Sequence, residues 1–128
     1  GVVKKGTDAQ VDPNNFKNLL KIYAEMAAKG IPYALLGHFG DGHLHFNFLP
    51  NKDQMVECEG YLKDFYKKLK DLKGSPFAEH GIGILKKGFV VDFFDPSILR
   101  VFKCLKTGLD PFDQFFPQGY LNMYKGKE

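Results

Sequence analysis

At 128 residues, 44% hydrophobic and 26% charged, the chain has enough apolar material for one globular domain with a core, and little of it reads as disordered. Its net charge of +3 comes from 18 basic against 15 acidic residues, with the excess concentrated in Lys63, Lys67, Lys68, Lys70 and Lys73 and only one arginine, Arg100; this is the wet face of a helix, and no nucleic-acid partner is expected. No apolar run reaches the length of a membrane span, and the N-terminus lacks the ordered regions of a secretory signal.

The chain opens at Gly1 with Val2-Val3-Lys4-Lys5, which reads as the start of a strand running from 1 to about 11 and as part of something longer. Asp12-Pro13 then supplies a helix cap and a first helical residue, and Phe16, Leu19, Leu20, Tyr23, Met26 and Ala27 recur at helical spacing until Gly30. Residues 31–36 form an apolar run and residues 44–49 alternate, so two strands should pair as a hairpin across Gly40-Asp41-Gly42. Alternation puts Leu44, Phe46 and Phe48 on one face and His43, His45 and Asn47 on the other. After Pro50 a helix is predicted over 53–72, its stripe marked by Met55, Cys58, Leu62, Phe65, Tyr66, Leu69 and Leu72, with Gly74 as its stop.

Residues 75–83 carry Glu79-His80 and read as a loop leading into either a strand or an irregular segment. Residues 89–94 suit a further strand or an extended arm. Asp95-Pro96 repeats the capped-helix signature before Ile98, Leu99, Phe102 and Leu105, and Asp110-Pro111 stops that helix. The tail, with Phe112, Phe115, Phe116, Tyr120 and Tyr124 interrupted by Pro117 and Gly119, is irregular yet too aromatic for a solvated linker, so it should pack on something. Cys58 and Cys104 lack metal-site spacing and are expected as buried free thiols. The order of elements gives an α+β fold: a ferredoxin-like antiparallel sheet with helices on one face, plus a C-terminal helical extension, all in a single domain spanning 1–128. The sheet's other face, bearing His43, His45 and Asn47, is expected to be open to a ligand or partner.

Three of the four histidines lie within the fourteen residues 37–50, beside glycines, and the fourth, His80, follows Glu79. A first-row divalent metal needs imidazoles or carboxylates converging at about 2.0–2.2 Å. Pairing across the turn can bring His38 and His45 to one face, and Glu79 would come from a separate loop. Two histidines and one carboxylate leave open coordination positions, the mark of a catalytic rather than a closed structural site. The competing reading is of isolated polar residues on a solvated sheet face, which three histidines within eight positions make less economical. Gly81-Ile82-Gly83 lacks the third glycine of a dinucleotide fingerprint, and phosphate-loop, HExxH and GxSxG motifs are all absent.

Three blocks carry a family resemblance. Gly37-His38-Phe39-Gly40-Asp41-Gly42-His43-Leu44-His45 resembles GHxGDGNLH, and Ala78-Glu79-His80-Gly81-Ile82-Gly83 resembles an EHGIG segment. Residues 99–111, with Lys106, Leu109, Asp110 and Pro111, are similar to a K-x-x-x-D-P-type final helix, and Thr7-Asp8-Ala9-Gln10-Val11 loosely resembles the opening stretch. Together they resemble the C-terminal part of the cap, or substrate, domain of FAD-linked oxidases of the vanillyl-alcohol-oxidase superfamily, in the branch of glycolate oxidase, D-lactate dehydrogenase and D-2-hydroxyglutarate dehydrogenase.

That resemblance implies a role for each site residue. His38, His45 and Glu79 would be metal ligands, His80 the active-site base and Asn47 a substrate contact; the metal would be zinc, with manganese or iron as alternatives. The substrate would be a small D-2-hydroxy acid, giving up hydride from C2 to an FAD bound by an upstream domain of the same longer chain, so the isolated piece should be inactive. The expected location is cytoplasmic, or peripheral at the inner membrane face through the full-length enzyme. A non-catalytic ferredoxin-like module that binds a ligand or protein is the alternative. Two positions depart from the family pattern. His43 stands where relatives usually have asparagine and could add to or replace a ligand, and Phe116-Pro117-Gln118-Gly119 replaces the usual asparagine-proline-glycine ending.

Overall fold

The computed structural model describes residues 3–121, which divide after His80 into two units with separate packing. In the first unit the order is β1 (Lys5–Gly6), β2 (Ala9–Gln10), α1 (Phe16–Ala27), β3 (Tyr33–His38), β4 (His43–Phe48) and α2 (Met55–Asp71). Strand β4 is the centre of an antiparallel sheet. Along one edge β3 pairs with it from Tyr33↔Phe48 to His38↔His43. Along the other, β1 pairs at Lys5↔Phe48 and Gly6↔Asn47, and β2 at Ala9↔Leu44 and Gln10↔His43. The register is the same on both sides of the gap, so β1 and β2 are one strand interrupted at Thr7-Asp8 rather than two strands with a slip between them. Gly1 and Val2 of the expected leading strand lie outside the described residues.

The interruption is a specific exchange of partners. Thr7 N–H still donates to the Phe46 carbonyl at 2.9 Å, but Phe46 N–H donates to Thr7 Oγ1 at 3.0 Å instead of to a backbone carbonyl. Tyr23 reaches in from α1, its hydroxyl donating to the Leu44 carbonyl at 2.8 Å and lying 2.9 Å from Thr7 Oγ1. With the Tyr23 proton committed to Leu44, the Thr7 hydroxyl donates to Tyr23, and both hydroxyls are satisfied. Burial pushes the Tyr23 phenol pKa well above its ordinary value.

Both helices pack on the Leu44, Phe46 and Phe48 face, as the alternation predicts. Helix α1 buries Leu19, Ile22, Tyr23 and Met26, and α2 buries Cys58, Phe65, Tyr66 and Leu69. Tyr23 stacks on Phe46 at 5.4 Å and on Phe65 at 5.3 Å, joining strand, α1 and α2 in one aromatic layer. Because β1–β2 and β3 both run antiparallel to β4, they are parallel to each other, with α1 crossing between them. This is the split β-α-β unit of a ferredoxin-like sandwich.

Along the free edge of β2, where a fourth strand would lie, Ser75 and Gln10 exchange backbone hydrogen bonds at 3.0 and 2.8 Å, and Ala78 N–H reaches the Asp8 carbonyl at 3.4 Å. Pro76 between them has no N–H to donate, so the segment hugs the edge without forming a regular strand. The hairpin turn is a 3-10 turn at Phe39–Asp41 closed by Gly42 in the left-handed conformation, φ 63°. At Gly37, φ is 148° and a Cβ would lie 2.6 Å from the His43 carbonyl oxygen and 2.8 Å from Leu44 Cα. At the end of α2, Gly74 N–H donates to the Leu69 carbonyl at 2.9 Å, while the left-handed residue there is Lys73, φ 54°.

The second unit holds a 3-10 turn at Lys87–Phe89, then α3 (Val90–Phe93) and α4 (Pro96–Leu109). The strand or arm expected over 89–94 is therefore a short helix, since a brief apolar run fits either state and no sheet partner for it exists among the described residues. Asp95 caps α4, accepting from Ser97 N–H at 2.7 Å, with Pro96 at the first helical position. Asp110 knots the turn after α4, accepting from Gln114 N–H at 2.8 Å and Phe115 N–H at 2.9 Å and pairing with Lys106. Beyond it, Phe112 and Phe115 are exposed, as is Cys104, contrary to its expected burial; it lies on the wet side of α4. Tyr124 lies outside the described residues. No helix among the described residues is long and apolar enough to cross a membrane.

Two substitutions test this packing by chemical denaturation. Tyr23→Phe leaves the Leu44 carbonyl and Thr7 hydroxyl without their partner and should cost about 1–3 kcal/mol; no loss of stability would show that the hydroxyl network contributes nothing. Gly37→Ala drives a methyl into the facing strand and should cost a similar ~1–3 kcal/mol, whereas the same change at exposed Gly60, which has open space around it, should be neutral or stabilising.

Candidate metal centre

The two registers set the rows of the sheet face away from the helices. His38, His43 and Gln10 form one row, Leu36, His45 and Asp8 the next, and Ala34, Asn47 and Gly6 the third. All three strand histidines thus share a face, as expected. That face is not open along β4, however. His43, His45 and Asn47 are 5%, 8% and 6% exposed and Asp8 is 2% exposed, while His38, Glu79 and His80 stay accessible at the rim. Part of the cover is the irregular segment along β2, which lays Glu79 and His80 over His45.

Asp8 holds that cover in place. Its Oδ1 accepts from Glu79 N–H and its Oδ2 from His80 N–H, each at 3.1 Å, and Oδ1 also lies 3.2 Å from His43 Nε2. Sequence reasoning placed no role on Asp8. A signal existed, since an aspartate inside a predicted strand is out of place unless its carboxylate is wanted there.

Glu79 is the hub of the histidines. Its Oε1 lies 3.6 Å from His38 Nε2, and its Oε2 lies 3.1 Å from His45 Nε2 and 3.9 Å from His43 Nδ1. Hydrogen bonding with His45, the largest influence, holds the Glu79 carboxyl below its ordinary pKa, with His38, His43 and His80 adding to the effect. The donor atoms of His38, His43 and Glu79 lie within 4.8 Å of one another, as do those of Asp8, His45 and His80. Glu79 thus joins His38 to both buried histidines, and the His80 ring sits 5.0 Å from that of His45.

The far side of each buried ring fixes its protonation. His45 Nδ1 faces the Thr7 carbonyl at 3.2 Å, and a carbonyl only accepts, so Nδ1 carries the proton. His43 Nε2 faces the Asp8 carboxylate, which likewise only accepts, so Nε2 carries the proton. The remaining nitrogens, His45 Nε2 and His43 Nδ1, both point toward the Glu79 carboxylate, and His45 Nε2 can bond to it at 3.1 Å only by carrying a second proton. Lone pairs aimed at a carboxylate repel unless positive charge sits among them. Two imidazoles backed by oxygen acceptors and turned toward a shared carboxylate form a donor set suited to a divalent cation.

Asn47 lies beside this cluster with its Oδ1 over Gly6, where a Cβ would stand only 2.2 Å away. Glycine at position 6 is what lets the amide occupy that space. An open cleft of about 810 Å³ at the rim is bordered by Gln10, His38, Asp41, His43, Ser75 and Glu79.

Known proteins agree with the resemblance drawn from the motifs. Residues 2–122 match the family described as FAD linked oxidases, C-terminal domain. The chain is 31% identical over 106 residues to the mitochondrial D-lactate dehydrogenase (cytochrome) of Kluyveromyces lactis, covering 82% of this chain and 18% of that protein. It is 32% identical over 108 residues to glycolate oxidase subunit GlcD of Bacillus subtilis, covering 81% and 23%, and 35% identical over 92 residues to the mitochondrial D-2-hydroxyglutarate dehydrogenase of Danio rerio, covering 70% and 16%. It therefore spans less than a quarter of the length of these relatives. With nearly all of its length matched, the chain belongs to the FAD-linked oxidase C-terminal domain family, a family of oxidoreductases.

Proposed function

We propose that the chain supplies the metal- and substrate-binding wall of a flavin-dependent dehydrogenase or oxidase acting on a small D-2-hydroxy acid. In this reading His38, His45 and Glu79 hold a divalent metal, zinc in the first instance with manganese or iron as alternatives. The FAD is held by another domain of a longer chain. The observation that carries the proposal is the Glu79 carboxylate lying 3.6 Å from His38 Nε2 and 3.1 Å from His45 Nε2, with the other nitrogen of His45 already committed to Thr7. The relatives' names, which speak of D-lactate, glycolate and D-2-hydroxyglutarate, supply the substrate class.

A divalent cation bound there would polarise the substrate hydroxyl and carboxylate, and FAD would accept the hydride leaving C2. The residues of this chain do the rest. His38 and His45, on neighbouring strands, fix the position of the reacting end of the substrate at the rim of the sheet. His80, anchored through its backbone N–H to Asp8, offers an accessible imidazole nitrogen to the hydroxyl proton as hydride departs. Asn47, held at a fixed height by Gly6, offers its amide to a substrate oxygen. The buried β4 side of the cluster keeps water from the back of the site.

Metal analysis of the full-length protein should find about one divalent ion per chain, and His38→Ala and His45→Ala should each remove it. An unmodified protein with no stoichiometric metal would sink the metal role and favour a binding module without chemistry. His80→Gln should keep the metal but slow flavin reduction by the hydroxy acid by about 10²–10⁴-fold; a rate equal to that of the unmodified enzyme would rule out His80 as the base.

A further inference from the structure

We infer that His43 is a third imidazole ligand of the same cation, backed by Asp8, so that this chain binds its metal through three histidines and one carboxylate. The inference rests on the metal reading above and extends it to a residue that departs from the usual motif. His43 is 5% exposed, and its two ring nitrogens face two different carboxylates: Nε2 lies 3.2 Å from Asp8 Oδ1 and Nδ1 lies 3.9 Å from Glu79 Oε2.

Asp8 fixes the proton on Nε2, which leaves the Nδ1 lone pair turned toward the space shared by His38 and Glu79. Ligand atoms about 2.1 Å from one metal stand roughly 3.0–3.4 Å from their neighbours in octahedral or tetrahedral geometry. The separations of 3.6 Å for His38 to Glu79 and 3.9 Å for His43 to Glu79 need only a few tenths of an ångström of closure to reach that range. His38, His43 and Glu79 already have all their donor atoms within 4.8 Å of one another.

The pairing of His43 with Asp8 has the form of a ligand and its outer partner, in which a carboxylate accepts from the far nitrogen, fixes the tautomer and raises the basicity of the near one. His45 has the same form with the Thr7 carbonyl in that place. The two buried histidines are thus built alike, each with an oxygen acceptor behind one nitrogen and Glu79 before the other, and of the two it is His43 whose donor atom falls within 4.8 Å of those of both His38 and Glu79. Four protein donors leave two positions on a six-coordinate metal, enough for the hydroxyl and carboxylate of one chelating substrate. Zinc must expand beyond four ligands to accept it, whereas manganese or iron does so in its ordinary geometry.

The competing role for His43 is a purely structural one, as a donor to Asp8. His43→Asn separates the two, because an asparagine amide can still donate to Asp8 but offers no metal-facing nitrogen. Zinc-loaded full-length protein would be compared with this variant by zinc-edge X-ray absorption and by competition with a chromophoric chelator. The expected result is three imidazoles per zinc in the unmodified protein and two in His43→Asn, with zinc affinity falling by more than about 100-fold, beyond the usual loss for an outer partner. Two imidazoles in both proteins, or an affinity unchanged by the substitution, would overturn the assignment of His43 while leaving the metal at His38, His45 and Glu79. Failure of the unmodified protein to take up zinc or manganese at all would overturn the metal reading and this inference with it.

Discussion

The site depends on one buried carboxylate. Asp8 sits in the gap between β1 and β2, and through its two oxygens it holds the backbone of Glu79 and His80 and faces the ring of His43. A buried carboxylate is tolerated only when its lone pairs are filled, and hydrogen bonds to a charged group are worth about 1.5–3 kcal/mol each. Those bonds do two jobs at once. They stabilise an otherwise costly charge, and they pin an irregular segment against a regular sheet, which is how residues 79 and 80 come to lie beside residues 38, 43 and 45.

The gap that admits Asp8 is kept from spreading by its neighbour. Thr7 lends its hydroxyl to Phe46 N–H in place of a strand carbonyl, freeing its own carbonyl for His45, and Tyr23 ties that exchange to α1. The residue that interrupts the edge strand on the core side is therefore the one that orients His45 on the other. Core and site are built on the same six-residue strand β4, with Leu44, Phe46 and Phe48 turned toward the helices and His43, His45 and Asn47 away from them. A shift of one residue in register would exchange the two sets, so the aromatic layer that secures the register also secures the site.

Much of this was legible in the sequence because it is periodic or punctuated. Alternation over residues 44–49 gave the central strand and its two faces, Asp12-Pro13 and Asp95-Pro96 marked helix starts, and the glycines around Asp41 marked the hairpin. The motif resemblance led to the family, which the match over residues 2–122 bears out. What escaped were features set by long-range pairing. The break at Thr7-Asp8 makes sense only once residues 79 and 80, some seventy positions away, are seen donating to it. The short apolar run after Phe89 has no periodicity long enough to separate helix from strand, and the stripe on α4 did not reveal that Cys104 falls on its wet side. The burial of the histidine face was invisible for the same reason, since the segment covering it contributes no regular element of its own.

The central claim is that positive charge belongs among the imidazoles that surround Glu79. Crystals of the full-length protein grown with zinc, measured on both sides of the zinc absorption edge, test it directly. The account predicts one anomalous peak within bonding distance of His38 Nε2, His45 Nε2 and a Glu79 oxygen. A peak elsewhere, or no peak at this site in crystals grown with zinc, would contradict it.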